Sequence, residues 1–134
     1  MSLVCKSKKI EADLRQLPLE NPRLYGLLHT LAAFCALACD KDVVLTSIHR
    51  EGDGGPHGQW RAADVRAKNG YWTPEELQDI KDYLRDNFPR SDQNALEGAI
   101  QGWYGTLRHH GRGDMEHLHI CVEPDEQFQS ALFS

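Results

Sequence analysis

Residues His117 to Val122 read His-Leu-His-Ile-Cys-Val. Successive side chains of a strand point to opposite faces, so this run can only be a strand with two different faces. Leu118, Ile120 and Val122 share one, and His117, His119 and Cys121 share the other. A sheet containing it needs a layer over its apolar face, and the rest of the chain supplies helices for that purpose.

Asn21-Pro22 has the form of a helix start, with Asn as cap and Pro in the first turn. Leu24, Leu27, Leu28, Leu31, Cys35 and Ala38 then recur at helical spacing to about Cys39. Thr73-Pro74-Glu75-Glu76 opens a second helix: Thr73 can cap, and Glu76 can complete a capping box. Leu77, Ile80, Leu84 and Phe88 form its buried stripe, and Pro89 marks its end. Val43 to Ser47 is β-rich and reads as a buried strand. Ala62 to Arg66 reads as a second strand and Ile100 to Leu107 as a third. Glu51 to Pro56 is too glycine-rich for regular structure, and Arg90 to Glu97 is a polar loop. The expected fold class is α+β: a small, largely antiparallel sheet packed against two main helices. At 134 residues, with no internal repeat or linker, the chain forms one domain over 1–134.

Charge narrows the function classes. Twenty acidic residues against 15 basic give a net charge of −5, which argues against a global grip on nucleic acid. The longest strongly apolar run, Leu31 to Cys39, is too short to cross a bilayer, so no membrane insertion is expected. Lys6, Lys8 and Lys9 are followed directly by Glu11 and Asp13, which leaves no apolar signal core; the expectation is cytoplasmic synthesis. Cys5, Cys35, Cys39 and Cys121 read as reduced structural thiols. Oligomeric state is left open.

The seven histidines carry the chemical signal. Five fall in two glycine-flanked places, at His57 and between His109 and His119. His57 is followed seven residues later by Asp64; His117 and His119 alternate on one sheet face. The two segments together offer imidazoles and a carboxylate, a three-ligand catalytic zinc set with one position left for water. The plainer alternatives are inert surface histidines, above all His109 and His110, and an Asp64 that merely hydrogen-bonds a turn.

These segments resemble the zinc D,D-peptidases and related peptidoglycan peptidases, the M15-type group that shares its fold with the hedgehog signalling domain. That group's first motif is Ser-x-His-x-x-Gly-x-Ala-x-Asp. His57, Ala62 and Asp64 match it, with Gly55 in place of the Ser and Trp60 in place of the Gly. Its second motif is an acidic residue, two residues and a His, here Glu116, His117, Leu118, His119. An upstream Ser-x-x-Arg matches as Ser47-Ile48-His49-Arg50. The three elements keep the group's order from Ser47 to His119.

The resemblance implies a hedgehog/DD-peptidase-like fold and one zinc ion per chain, held by His57, Asp64 and His119. It implies Glu116 as general acid/base, Arg50 as the cation facing the oxyanion, and His117 as an accessory histidine near the metal. The implied substrate is a peptidoglycan stem peptide or cross-link. The implied context is that of a small phage-lysin-like enzyme, acting on the wall after release or carried on a virion. Strict alternation puts Glu116 on the face opposite His119, so its role requires a bend before the strand, which Gly111-Arg112-Gly113 can provide. Gly55 and Trp60 leave a second reading open: a metal-bound or metal-free binding module without turnover. A His-metal nuclease is a third, weakened by the acidic charge.

Overall fold

Asn21 joins the first two helices. Its backbone N–H reaches Leu17 O at 2.7 Å to close α1 (Lys8–Glu20), and its Oδ1 accepts from Leu24 N at 3.1 Å to open α2 (Pro22–Ala38). One buried residue therefore ends one helix and caps the next, which fixes a tight helical hairpin. The computed structural model describes residues 3–88, 107–111 and 113–122. The loop expected over Arg90 to Glu97, and residues 100–106 of the strand expected over Ile100 to Leu107, lie outside them.

Five strands form one sheet: β1 (Leu3–Cys5), β2 (Val43–Ser47), β3 (Ala62–Arg66), β4 (Leu107–His110) and β5 (His117–Cys121), in the spatial order β1-β2-β3-β5-β4. β1 runs parallel to β2; the other three pairings are antiparallel. The sheet is thus mixed. Its apolar face, with Leu45, Ala63, Val65, Leu118 and Ile120, joins Leu24, Leu27, Leu28 and Leu31 of α2 in one core. α3 (Pro74–Asn87) starts with the expected capping box, in which Thr73 Oγ1 accepts from Glu76 N and Glu76 Oε1 from Thr73 N. Its Ile80 and Leu84 are fully buried, and Tyr83 stacks on Phe34 of α2 at 4.2 Å.

Two elements correct the sequence reading. There are three α-helices among the described residues, not two, because Lys8 to Glu20 is helical. Its apolar stripe is thin: Ile10 and Leu17 are buried, Leu14 packs at the margin, and Pro18 stands within the helix. Ser7 caps it by accepting from Ile10 N at 3.4 Å. The three-residue strand β1 likewise lacks a pattern long enough to read, and its parallel pairing follows from the α1–α2 hairpin that returns the chain beside it. The third expected strand is present at its C-terminal end, from Leu107.

The loop between β2 and β3 folds back on itself. Asp53 Oδ1 accepts from Gly55 N at 2.7 Å, Gly58 N donates to Gly55 O at 3.1 Å, and Arg61 N donates to Pro56 O at 2.8 Å. A Cβ at Gly58 would lie 1.5 Å from Asp53 O, so the carbonyl occupies the space of a side chain there. Gly58→Ala is expected to force the loop apart, at a cost of about 1–3 kcal/mol, and to lower the thermal midpoint. Gly54→Ala, where a Cβ meets nothing within 4 Å, should leave it unchanged. Thermal melts of the two variants check this.

Candidate metal centre

Asp64 lies in the middle of β3, opposite Ser47 of β2 and His119 of β5. Between Leu45 and Ser47 the β2 register shifts by one residue, a bulge that brings Ser47 opposite Asp64. Neighbours across strands share a face, so Asp64 and His119 meet on the side away from the helices. The folded loop delivers His57 to the same point. Asp64 Oδ1 stands 3.2 Å from His57 Nε2 and 3.1 Å from His119 Nδ1. His57 and Asp64 are each only 4% exposed.

These separations fit a tetrahedral ion. Two ligands at about 2.0–2.1 Å from zinc in a tetrahedral site are about 3.3 Å apart. The three residues offer ligand atoms that all lie within 4.8 Å of one another. The His57 ring is already oriented towards such an ion, because its Nδ1 donates to Ile48 O at 2.9 Å and leaves Nε2 as the nitrogen facing Asp64. Both ring nitrogens of a buried histidine thus face oxygens, an arrangement that a cation between Nε2 and the carboxylate satisfies. Burial alone would raise the Asp64 pKa. Hydrogen bonds from His119 and His57, and their charge, outweigh it and hold the carboxyl well below the usual carboxylate range.

The Arg50 guanidinium donates to Asp64 Oδ2 at 2.9 Å while its side chain remains 51% exposed. Each oxygen of Asp64 therefore has its own partners: the histidines on Oδ1, the arginine on Oδ2. His117 is near the triad but not in it. Its Nδ1 donates to Met115 O at 2.8 Å and its Nε2 lies 3.9 Å from Asp64 Oδ1.

Glu116 is only partly where the sequence reading wants it. The bend exists: Gly113–Met115 forms a 3-10 turn, Gly111 and Gly113 have positive φ, and Glu116 N donates to Gly113 O at 3.2 Å. Glu116 borders the same cleft as Asp64, Arg50 and His117. Its Oε2, however, is held by His109 Nε2 at 2.5 Å, and no described contact joins its carboxylate to the triad. His109, which the sequence offered as an inert surface histidine or, with His110, as a hint of a His-metal nuclease, is thus the partner of the candidate base. The β4–β5 register that brings the two together is not visible in either segment alone.

The two departures from the resembled motif have structural counterparts. Trp60 has φ 58°, in the left-handed region that a glycine enters freely and that costs another residue roughly 1–3 kcal/mol. Its ring does not line the cleft; it stacks on His49 at 4.2 Å and 6°. His49 Nδ1 in turn contacts His57 O at 3.2 Å. The bulk added at Trp60 therefore braces the backbone behind His57. Gly55 serves the loop turn through its N–H.

No family model matches the chain, and searches of the curated proteins and of the solved structures gave no significant match. No helix among the described residues is long and apolar enough to cross a membrane.

Protein purified without chelator is expected to carry close to one zinc per chain by elemental analysis. Asp64→Ala should abolish that binding while far-UV circular dichroism stays native, because the triad lies on the face of the sheet away from its apolar core. Full zinc content in that variant would remove Asp64 from the ligand set.

Proposed function

We propose that this protein is a zinc-dependent peptidase that hydrolyses an amide bond in peptidoglycan stem peptides or cross-links, with an M15-type hedgehog/DD-peptidase-like architecture. The observation that carries this reading is the His57–Asp64–His119 triad, whose spacing fits a tetrahedral ion on a face of the sheet that opens into a cleft. A zinc ion held there supplies Lewis acidity that acidifies water and polarises an amide carbonyl.

The chain's own residues supply the rest. Glu116 takes a proton from water and returns it to the leaving amine; with Oε2 on His109, Oε1 is the oxygen left for that transfer. Arg50 commits one N–H to Asp64, and its exposed guanidinium has further donors to offer a carbonyl oxygen as it gains negative charge. His117, turned by its bond to Met115, stands beside the triad as an accessory histidine. The buried loop carbonyl of Ile48 keeps His57 in one tautomer throughout.

One observation favours a second reading. The Glu116 carboxylate is engaged by His109, which suits a metal-bound wall-binding or phage-particle module as well as an enzyme. Zinc-loaded protein incubated with muropeptides decides between them. Glu116→Gln should retain zinc and lose about 10²–10⁴ in rate. Arg50→Ala should also retain zinc and lose about 10²–10³. Undiminished cleavage by Glu116→Gln would remove the acid/base role. Zinc-loaded wild type that binds but cleaves no muropeptide would make the binding module the better account.

A further inference from the structure

The cleft of about 270 Å³ beside the triad is lined by more positive charge than the metal centre uses. Lys6 follows β1, Arg66 ends β3, and Lys68 sits in the 3-10 turn Lys68–Gly70; all three border the cleft together with Arg50. Arg50 is paired with Asp64. Lys6, Arg66 and Lys68 make no ion pair and no side-chain hydrogen bond among the described residues, although Arg66 and Lys68 are half-buried. Of the acids on the cleft, Asp64 is taken by the triad and Arg50, and Glu116 by His109. Asp114 is the remaining acid on the cleft, against three cations. In a chain where acids outnumber bases by 20 to 15, three converging cations without carboxylate partners are a specific feature. Arg66 and Lys68 are partly desolvated and Lys6 is exposed, and partly desolvated cations gain most from a ligand that brings the missing negative charge.

We propose that Lys6, Arg66 and Lys68 form an anion subsite that takes a carboxylate of the substrate next to the metal centre. The proposal rests on the peptidase reading for the kind of substrate: a peptide whose anionic groups are carboxylates. It selects, among peptides, those with a free carboxylate close to the bond that faces the triad. The carboxylate can come from a chain end or from an acidic side chain.

Matched peptides separate these sources. Zinc-loaded wild type is titrated by calorimetry with N-acetylated peptides ending in a free acid or an amide, and with peptides carrying Glu or Gln at one internal position. Whichever change removes the affinity advantage names the source. The acid should bind roughly tenfold more tightly than its neutral partner, the ratio expected of one charge-assisted hydrogen bond. The preference should shrink as ionic strength rises from about 0.01 to about 0.15 M, which shortens the screening length from about 30 to about 8 Å. It should vanish in the double variant Arg66→Ala/Lys68→Ala, with zinc content unchanged. Arg66→Gln/Lys68→Gln is the second variant where the alanines fail to fold. Equal affinity for acid and neutral peptides in the wild type overturns the subsite, as does a preference that survives either folded double variant. The two readings fail separately. Acid preference without any hydrolysis leaves the subsite standing and removes the peptidase; hydrolysis indifferent to the carboxylate does the reverse.

Discussion

A carboxylate that is 4% exposed in the middle of a β-sheet has lost most of its hydration, and its charge survives only through its partners. Asp64 has three of them at hydrogen-bond distance: His57 and His119 on one oxygen, Arg50 on the other. Each comes from a different segment. His119 is fixed by the β3–β5 register, Arg50 by its position just after β2, and His57 by the folded loop. The bulge in β2, the turn around Gly58 and the pairing of β5 all serve to surround one charge. Two of these partners, His57 and His119, form the candidate metal centre with Asp64, so the electrostatics of the buried carboxylate and the chemistry of the site have a common origin.

The loop that carries His57 holds an unfavourable residue in place. Trp60 in the left-handed region is strained where glycine would be relaxed. The stack on His49, and the bond from His49 to the His57 carbonyl, give that strain a purpose. Two rings brace the backbone on which a candidate ligand side chain stands. A glycine there would relieve the dihedral and remove the brace at once, so the substitution joins local strain to rigidity of the site.

Much of this was legible in the sequence. α2 and α3 announce themselves through Asn21-Pro22 and the Thr73 capping box, because both signals are local hydrogen-bonding chemistry. β2, β3 and β5 follow from β-branched and alternating residues. The two segments that carry the triad were legible as well, but alternation puts both His117 and His119 on one face, and only the resemblance to the M15-type motifs singled out His119. What escaped was non-local or weakly patterned. α1 has too thin an apolar stripe, and β1 is three residues long. The His109–Glu116 pair depends on a hairpin register, and the gathering of Lys6, Arg66 and Lys68 depends on three elements meeting at one cleft. Residues as far apart in the chain as Lys6 and Lys68 cannot be seen to share a site until a sheet puts them there, whereas alternation within one strand is enough to place His117 and His119 together.

In the proposed peptidase, Glu116 shows how strand geometry would constrain a base. Alternation sends residues three apart on a strand to opposite faces, so a base three residues before a ligand cannot reach that ligand's face from a regular strand. The chain resolves this by ending regular structure at His117 and placing Glu116 after the 3-10 turn Gly113–Met115, beside the close approach of Gly111 to Met115 O. Freed from the strand, the carboxylate borders the cleft, but it needs a new restraint, and His109 provides one from the register position opposite Leu118. A carboxylate tied through one oxygen loses rotational freedom without losing its second oxygen as a proton acceptor. For the peptidase proposed above, such an arrangement would suit a base that borders the metal site without becoming a ligand, and His109 would then set where that base points.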